Sequence, residues 1–322
     1  MSARKLCNCS DSVVSYHHGL GKLAATNNRP LQITAGLIVE ELPVTEPAHF
    51  VSIDNGQFVK KATEIVEKAQ ARGVSMRILG ALAVYIHCLD IPHCIETHKA
   101  LDRNGEGKPM FTDLDFLAYK KQSRDVAKIL QEAGFKADPM VAWWFGDRMM
   151  IYEHAQTKLH VDVFLNKLEY SHDVLFGEKP GSGRLELDSP TISLEDLVLE
   201  KLQPNHMGRK DAIDLIVLFM GHEVREQHGE NIIDGTYIAK VLSDDWGFWY
   251  DLTTNLEKVR SLARELRDQN RLLPEHCETV FQRTTELLRI IENAPKTKKW
   301  DARAKVGTRK PWFRSVEELK QS

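Results

Sequence analysis

The chain lacks the features that would tie it to a membrane or an oxidising compartment. Its longest apolar run, Leu215 to Met220, falls far short of the roughly 20 residues a spanning helix needs. It therefore suits a buried helix. The opening residues Met1 to Cys9 carry basic side chains but no apolar segment of the kind that directs secretion. Cysteine is sparse and odd in number, five in 322 residues, which argues against a disulfide framework and for reduced thiols. A cytoplasmic location is the expectation. Charge has no strong sign either. A formal net charge of -3 with 28% charged residues argues neither for nor against nucleic acid. No internal repeat is apparent, and the length permits one large domain or two ordinary ones.

Against that background, one segment stands out: Phe111-Thr112-Asp113-Leu114-Asp115-Phe116. In an extended chain, alternate side chains share a face, so Asp113 and Asp115 point one way while Leu114 and Phe116 point the other. Two carboxylates on one face make poor core and a good clamp for Mg²⁺, which takes oxygen ligands and keeps positions for substrate phosphates. A third acid, Asp162, is isolated in the β-branched run Leu159 to Leu165, which reads as an interior strand. Three acids on two strands suggest two-metal phosphoryl or nucleotidyl transfer. His160 shares the face of Asp162 by the period of two. It is a candidate for touching substrate or orienting a carboxylate, and equally for a structural hydrogen bond.

The surrounding pattern predicts a mixed α/β half followed by a helical half. Residues 1–50 form a weakly periodic extension with strand candidates at Leu31 to Thr34 and Leu37 to Leu42. A helix opens near Asn55 with Phe58, Ala62, Ile65, Val66 and Ala69 as its stripe, and Arg72-Gly73 closes it. Val74 to Leu79 reads as a strand, Gly80 as a turn and Ala81 to Cys88 as a helix, an order that aims backbone N–H groups at a phosphate. The polar stretch from Asp90 to Met110 reads as a loop or insertion. A helix is expected at Ser123 to Glu132, then strands at Val141 to Phe145, Arg148 to Glu153 and Leu159 to Leu165, with Gly146-Asp147 turning between the first two. Beyond about Thr191, the periodic segments are helical, at about 193–203, 209–221, 233–243, 246–268 and 275–293.

Two of those helices carry unusual charges. Leu194, Leu197, Val198 and Lys201 fall at i, i+3, i+4 and i+7, so Lys201 lies on the inward stripe. A buried ammonium needs an anion, either a bound triphosphate or a structural acid. The next helix is apolar almost all round except for Asp211 and Asp214, which share a face. These acids require cations, with Lys201, Arg209 and Lys210 as candidates. His87-Cys88 and His93-Cys94, with His98 nearby, form a loose zinc-like box whose spacing matches no common finger. Trp143-Trp144, Trp246 and Trp249 read as core anchors more than base-stacking platforms. In the tail, Lys296 to Arg314, basic residues interleave with Trp300, Trp312 and Phe313. That composition suits RNA or a strap packing its aromatics on the helices.

Taken in order, these motifs resemble the polymerase-β-type nucleotidyltransferase superfamily, and most nearly its AbiEii-like branch, which includes toxin nucleotidyltransferases. The resemblance rests on Leu79-Gly80-Ala81, Asp113-Leu114-Asp115, Val161-Asp162-Val163, the lysine helix Leu197 to Lys201 and the paired acids of Lys210 to Asp214, and spans about residues 75–220. Ala81 stands where the family usually has Gly or Ser, and the 33-residue step from Gly80 to Asp113 implies an insertion over the active-site mouth.

The resemblance implies a nucleotidyltransferase-like mixed sheet at 51–190, a helical domain at 191–293 and a basic aromatic tail at 294–322. It implies a metal-dependent enzyme: Asp113, Asp115 and Asp162 holding Mg²⁺ or Mn²⁺, Asp162 also helping to deprotonate the acceptor, and Gly80, Ala81 and Lys201 binding an NTP. His160, Asp211 and Asp214 would give support. The acceptor hydroxyl would belong to an RNA or tRNA end, a protein or a small molecule. Two rivals are a nucleotidyltransferase-like domain that only binds RNA or protein, and a glycosyltransferase using Asp113-Leu114-Asp115 on a nucleotide-sugar. The latter leaves Asp162 and the Gly80 turn unexplained.

Overall fold

The computed structural model describes residues 54–137 and 148–315. The strand candidates before residue 50, the expected strand Val141 to Phe145 with its Gly146-Asp147 turn, and Trp143-Trp144 lie outside them. Helix α1, Asn55–Gln70, begins with a capping box. The Asp54 carboxylate accepts the Gln57 N–H at 2.9 Å, and the Gln57 amide oxygen accepts that of Asp54 at 3.3 Å. This satisfies backbone donors that no helical turn can reach. Its buried face is the expected stripe from Phe58 to Ala69.

A five-stranded mixed sheet follows, made of β1 (Met76–Ile78), β2 (Asp113–Ala118), β3 (Phe135–Ala137), β4 (Met149–His154) and β5 (His160–Leu165). Its order is β1-β2-β5-β4-β3. The two central strands, β2 and β5, run parallel, and every other pairing is antiparallel. A parallel pair needs a long crossover. Helix α4, Ser123–Glu132, lies in that connection at the bounds the sequence predicts. Leu114, Phe116, Val161 and Val163 of the central strands are fully buried, so their alternate residues turn to the opposite face. A short hairpin, β6 (Lys167–Glu169) with β7 (Asp173–Leu175), follows β5.

Between β1 and β2 the structure departs from the expected loop. Helix α2, Gly80–His87, is followed by α3, Pro92–Ala100, with proline in its first turn. Cys94 and His98, one turn apart, are its buried residues. The segment offers too few apolar residues for a stripe, although proline at a helix start was a usable signal. Of the zinc-like box, Cys88 and Cys94 come together, but its histidines go elsewhere. The His87 imidazole bonds to Thr191 and Ile192, His93 stacks on His276, and His98 turns to Asp214.

The C-terminal part is helical: α5 (Leu194–Leu202), α6 (Arg209–Gly221), α7 (Gly235–Leu242), α8 (Trp246–Asp268), α9 (Pro274–Asn293) and α10 (Lys298–Val306). It also contains a parallel pair, β8 (Glu223–Arg225) with β9 (Ile232–Asp234), too short to show a period in sequence. One continuous apolar core runs from Phe58 through the sheet to Ile291. The sheet and the helices are therefore packed as one body. Among the described residues, no helix is long and apolar enough to cross a membrane.

Candidate active site

Parallel pairing of β2 and β5 sets Asp113 beside His160 and Asp115 beside Asp162. Because each pair is in register, the four side chains share one face of the sheet, while Leu114 and Val161 bury on the other. Asp113 is exposed, and Asp115 and Asp162 are half-buried. Burial pushes the Asp115 carboxyl well above its ordinary range, and the neighbouring charges of Asp113, Asp162 and Glu200 push it further. Asp162 is raised mainly by burial, against the pull of His160. His160 Nε2 lies 3.1 Å from Asp162 Oδ1. No well-formed hydrogen bond reaches this buried oxygen. Carboxylates gathered like this repel one another unless protonated or neutralised by a cation.

Gly80 explains how the β1–α2 turn comes so close to them. Its φ is +72°, and a Cβ there would lie 2.8 Å from Asp115 Oδ2. Both the dihedral and the contact call for glycine. The preceding Leu79 N–H donates to the Asp115 carbonyl at 3.1 Å, tying the turn to β2. The Gly80 N–H donates at 3.2 Å to Glu200 Oε2 from α5. Thus the turn amide that the sequence assigns to a phosphate holds a carboxylate in this structure. Ala81 follows in α2, partly buried against the core.

Lys201 also comes to this place, but not as a bare charge. Its ammonium lies 3.2 Å from Asp211, 3.2 Å from Asp214 and 3.7 Å from Glu200. Burial opposes its charge, yet the acids, led by Asp214, outweigh burial and raise its pKa. Asp214 is fully buried. Burial alone would raise it, but Lys201, His98 and Arg103 hold it far below the usual carboxylate range. Arg103 donates to both Asp214 oxygens at 2.9 Å, and His98 Nε2 lies 2.9 Å from Oδ1. His98 and Arg103 belong to the insertion expected to cover the mouth. It packs α3 on α6 and braces Asp214.

Two residues that sequence reasoning passed over complete the surroundings. Glu200 is one. Helix α5 is buried on nearly every side, so a stripe cannot tell which charge faces the sheet; its place next to Lys201 was the only hint. Tyr170, in the β6–β7 turn, is the other. Its ring tilts against Phe164 with centroids 6.0 Å apart, and Phe164 shares the Asp162 face of β5. Burial raises the phenol pKa, helped by the charges of Asp115, Glu200 and Asp162.

The three carboxylates offer hard oxygen donors, and Asp162 Oδ1 receives no hydrogen bond, as suits Mg²⁺ or Mn²⁺. Among the described residues, no group of three or more His, Cys, Asp or Glu side chains is placed to hold a metal ion. Mg²⁺ does not require one, since it is commonly held by one or two carboxylates with substrate phosphates completing the shell. Comparison with protein-family models, curated proteins and solved structures finds no match.

Proposed function

We propose that the protein is a metal-dependent nucleotidyltransferase that moves a nucleoside monophosphate from an NTP to a hydroxyl acceptor. The observation that carries this reading is the in-register pairing of Asp115 with Asp162 on the face of Asp113, directly under the Gly80 turn. In the transfer, the acceptor oxygen bonds to the α-phosphorus and pyrophosphate leaves. Asp113, Asp115 and Asp162 would hold Mg²⁺ or Mn²⁺, which when bound supplies Lewis-acid polarisation of the phosphates and neutralises the carboxylates. Asp162, whose burial raises its proton affinity, accepts the acceptor's proton. The α2 terminus, with Gly80 and Ala81, offers its positive dipole end to the triphosphate, and Lys201 lowers the negative potential on that side. His160 screens Asp162, while Asp211 and Asp214 fix the position of Lys201.

A second reading is a nucleotidyltransferase-like domain that binds RNA or protein without turnover. The observation favouring it is Glu200 on the Gly80 amide, since a phosphate must displace that carboxylate. Incubation with each labelled NTP, Mg²⁺ or Mn²⁺, and cellular RNA or protein separates the two. The expected result is metal-dependent label on an acceptor, reduced at least about a thousandfold in Asp115→Asn/Asp162→Asn. Full turnover by that double variant overturns the assignment; metal-dependent NTP binding without transfer supports the second reading.

A further inference from the structure

The Tyr170 turn is held from behind by the end of the described chain. After α10, residues 310–314 run across α8 and finish on the β6–β7 hairpin. The Arg314 N–H donates to the Ser171 carbonyl at 3.1 Å, and Arg314 Nε donates to the Tyr170 carbonyl at 3.2 Å. The Arg314 guanidinium also pairs with Asp173. Two residues earlier, Trp312 Nε1 donates to Asp251 Oδ1 at 2.9 Å. The same carboxylate takes His172 Nε2 at 2.7 Å and Asn205 Nδ2 at 2.9 Å. His172 stacks flat on Phe248 at 5.0 Å. The buried Asp251 thus ties the strap, the turn and the α5–α6 connection to one point on α8.

Gly247, in the first turn of α8, makes the crossing possible. A Cβ there would meet the Trp312 carbonyl oxygen at 2.5 Å and His172 Cε1 at 3.4 Å. The first contact is with backbone, which cannot rotate away as a flexible side chain would. Glycine at this position fits the passage of the strap.

We propose that residues 310–314 are a latch that positions the Tyr170 turn as one wall of the carboxylate site, so that the C-terminal strap sets nucleotide affinity without touching the nucleotide. This rests on the nucleotidyltransferase reading. Trp312 and Arg314 act through Tyr170 and are positioning residues. Tyr170 itself closes the Phe164 end of the face bearing Asp115 and Asp162.

Gly247→Ala tests the latch from outside the strap, and Trp312→Phe removes one donor while keeping a ring. Hydrogen exchange on the full-length protein reads the coupling without nucleotide. Amides in 167–176 should exchange about tenfold faster in both variants, with those of β2 and β5 unchanged. Titration with each Mg²⁺–NTP should then show binding about tenfold weaker, and turnover should show raised KM with kcat within about twofold. Unchanged exchange in 167–176 overturns the latch, as does faster exchange with unaltered nucleotide affinity. If the wild-type protein binds none of the four Mg²⁺–NTPs, the nucleotidyltransferase reading falls; the exchange result alone then decides whether the strap holds the turn.

Discussion

Two ionic clusters lie side by side in this protein and are built on opposite terms. On the sheet, Asp113, Asp115 and Asp162 gather like charge, with His160 against Asp162 and Lys201 drawing only partly on Asp115. One layer away, Asp214, Asp211 and Glu200 meet Lys201, with Arg103 and His98 also on Asp214. Burial raises Asp115, whereas cations drive the still more deeply buried Asp214 down. The difference shows that burial does not decide the state of a carboxylate by itself. The first cluster repels itself unless protonated or neutralised by a cation; the second is complete before any ligand arrives.

Removing Asp214 should produce the largest stability loss. Asp214→Ala strands Lys201 and Arg103 in a buried setting, and breaking such a network costs about 3–5 kcal/mol. Urea unfolding should show the midpoint fall at unchanged slope. A loss below about 1 kcal/mol would mean that the network relaxes without its centre, and the contrast between the clusters would fail.

Gly80→Ala comes next. It forces a side chain into the left-handed region and against the Asp115 carboxylate, so about 1–2 kcal/mol should be lost. Metal-dependent nucleotide binding should weaken with it, because the displaced group belongs to the site. Normal stability and binding would show that the turn is not confined as described.

The smallest effect has opposite pH signs in the two clusters. Asp214 has a depressed pKa, so its contribution is present above the ordinary aspartate value of 3.8 and disappears as pH falls through the folded value. Asp115 has a raised pKa. Its favourable contribution is present below 3.8 and is lost as pH rises through the folded value. Asp115→Asn should therefore melt a few degrees higher than wild type at pH 7 and lose that advantage toward pH 4. Melts across this range with Mg²⁺ absent check it. An advantage that grows on acidification would reverse the assigned sign.

Where a pattern repeats over several turns, sequence alone located the structure well. The α1 stripe, α4 at Ser123–Glu132 and the long helices α8 and α9 follow apolar periodicity. Short or evenly apolar segments escaped. Helix α3 has little stripe, β8 and β9 are three residues each, and α5 is buried all round, which hid Glu200. The tail shows a related limit. Its aromatic residues were visible, but only the fold seats Trp300 edge-on to Trp249 at 5.2 Å and Trp312 on Asp251.

The sequence by itself determined that Asp113 and Asp115 share a face, that Lys201 turns inward and that Asp211 and Asp214 sit together. These follow from fixed backbone periods of two and 3.6 residues. Only the tertiary structure decided that Asp162 stands opposite Asp115, that Glu200 caps Gly80, that Asp214 meets His98 and Arg103, and that the distant Arg314 holds the Tyr170 turn. Strand register and helix docking are set by the burial of the whole apolar core at once. A local period specifies which way a side chain points along its own element, but not which element it will face.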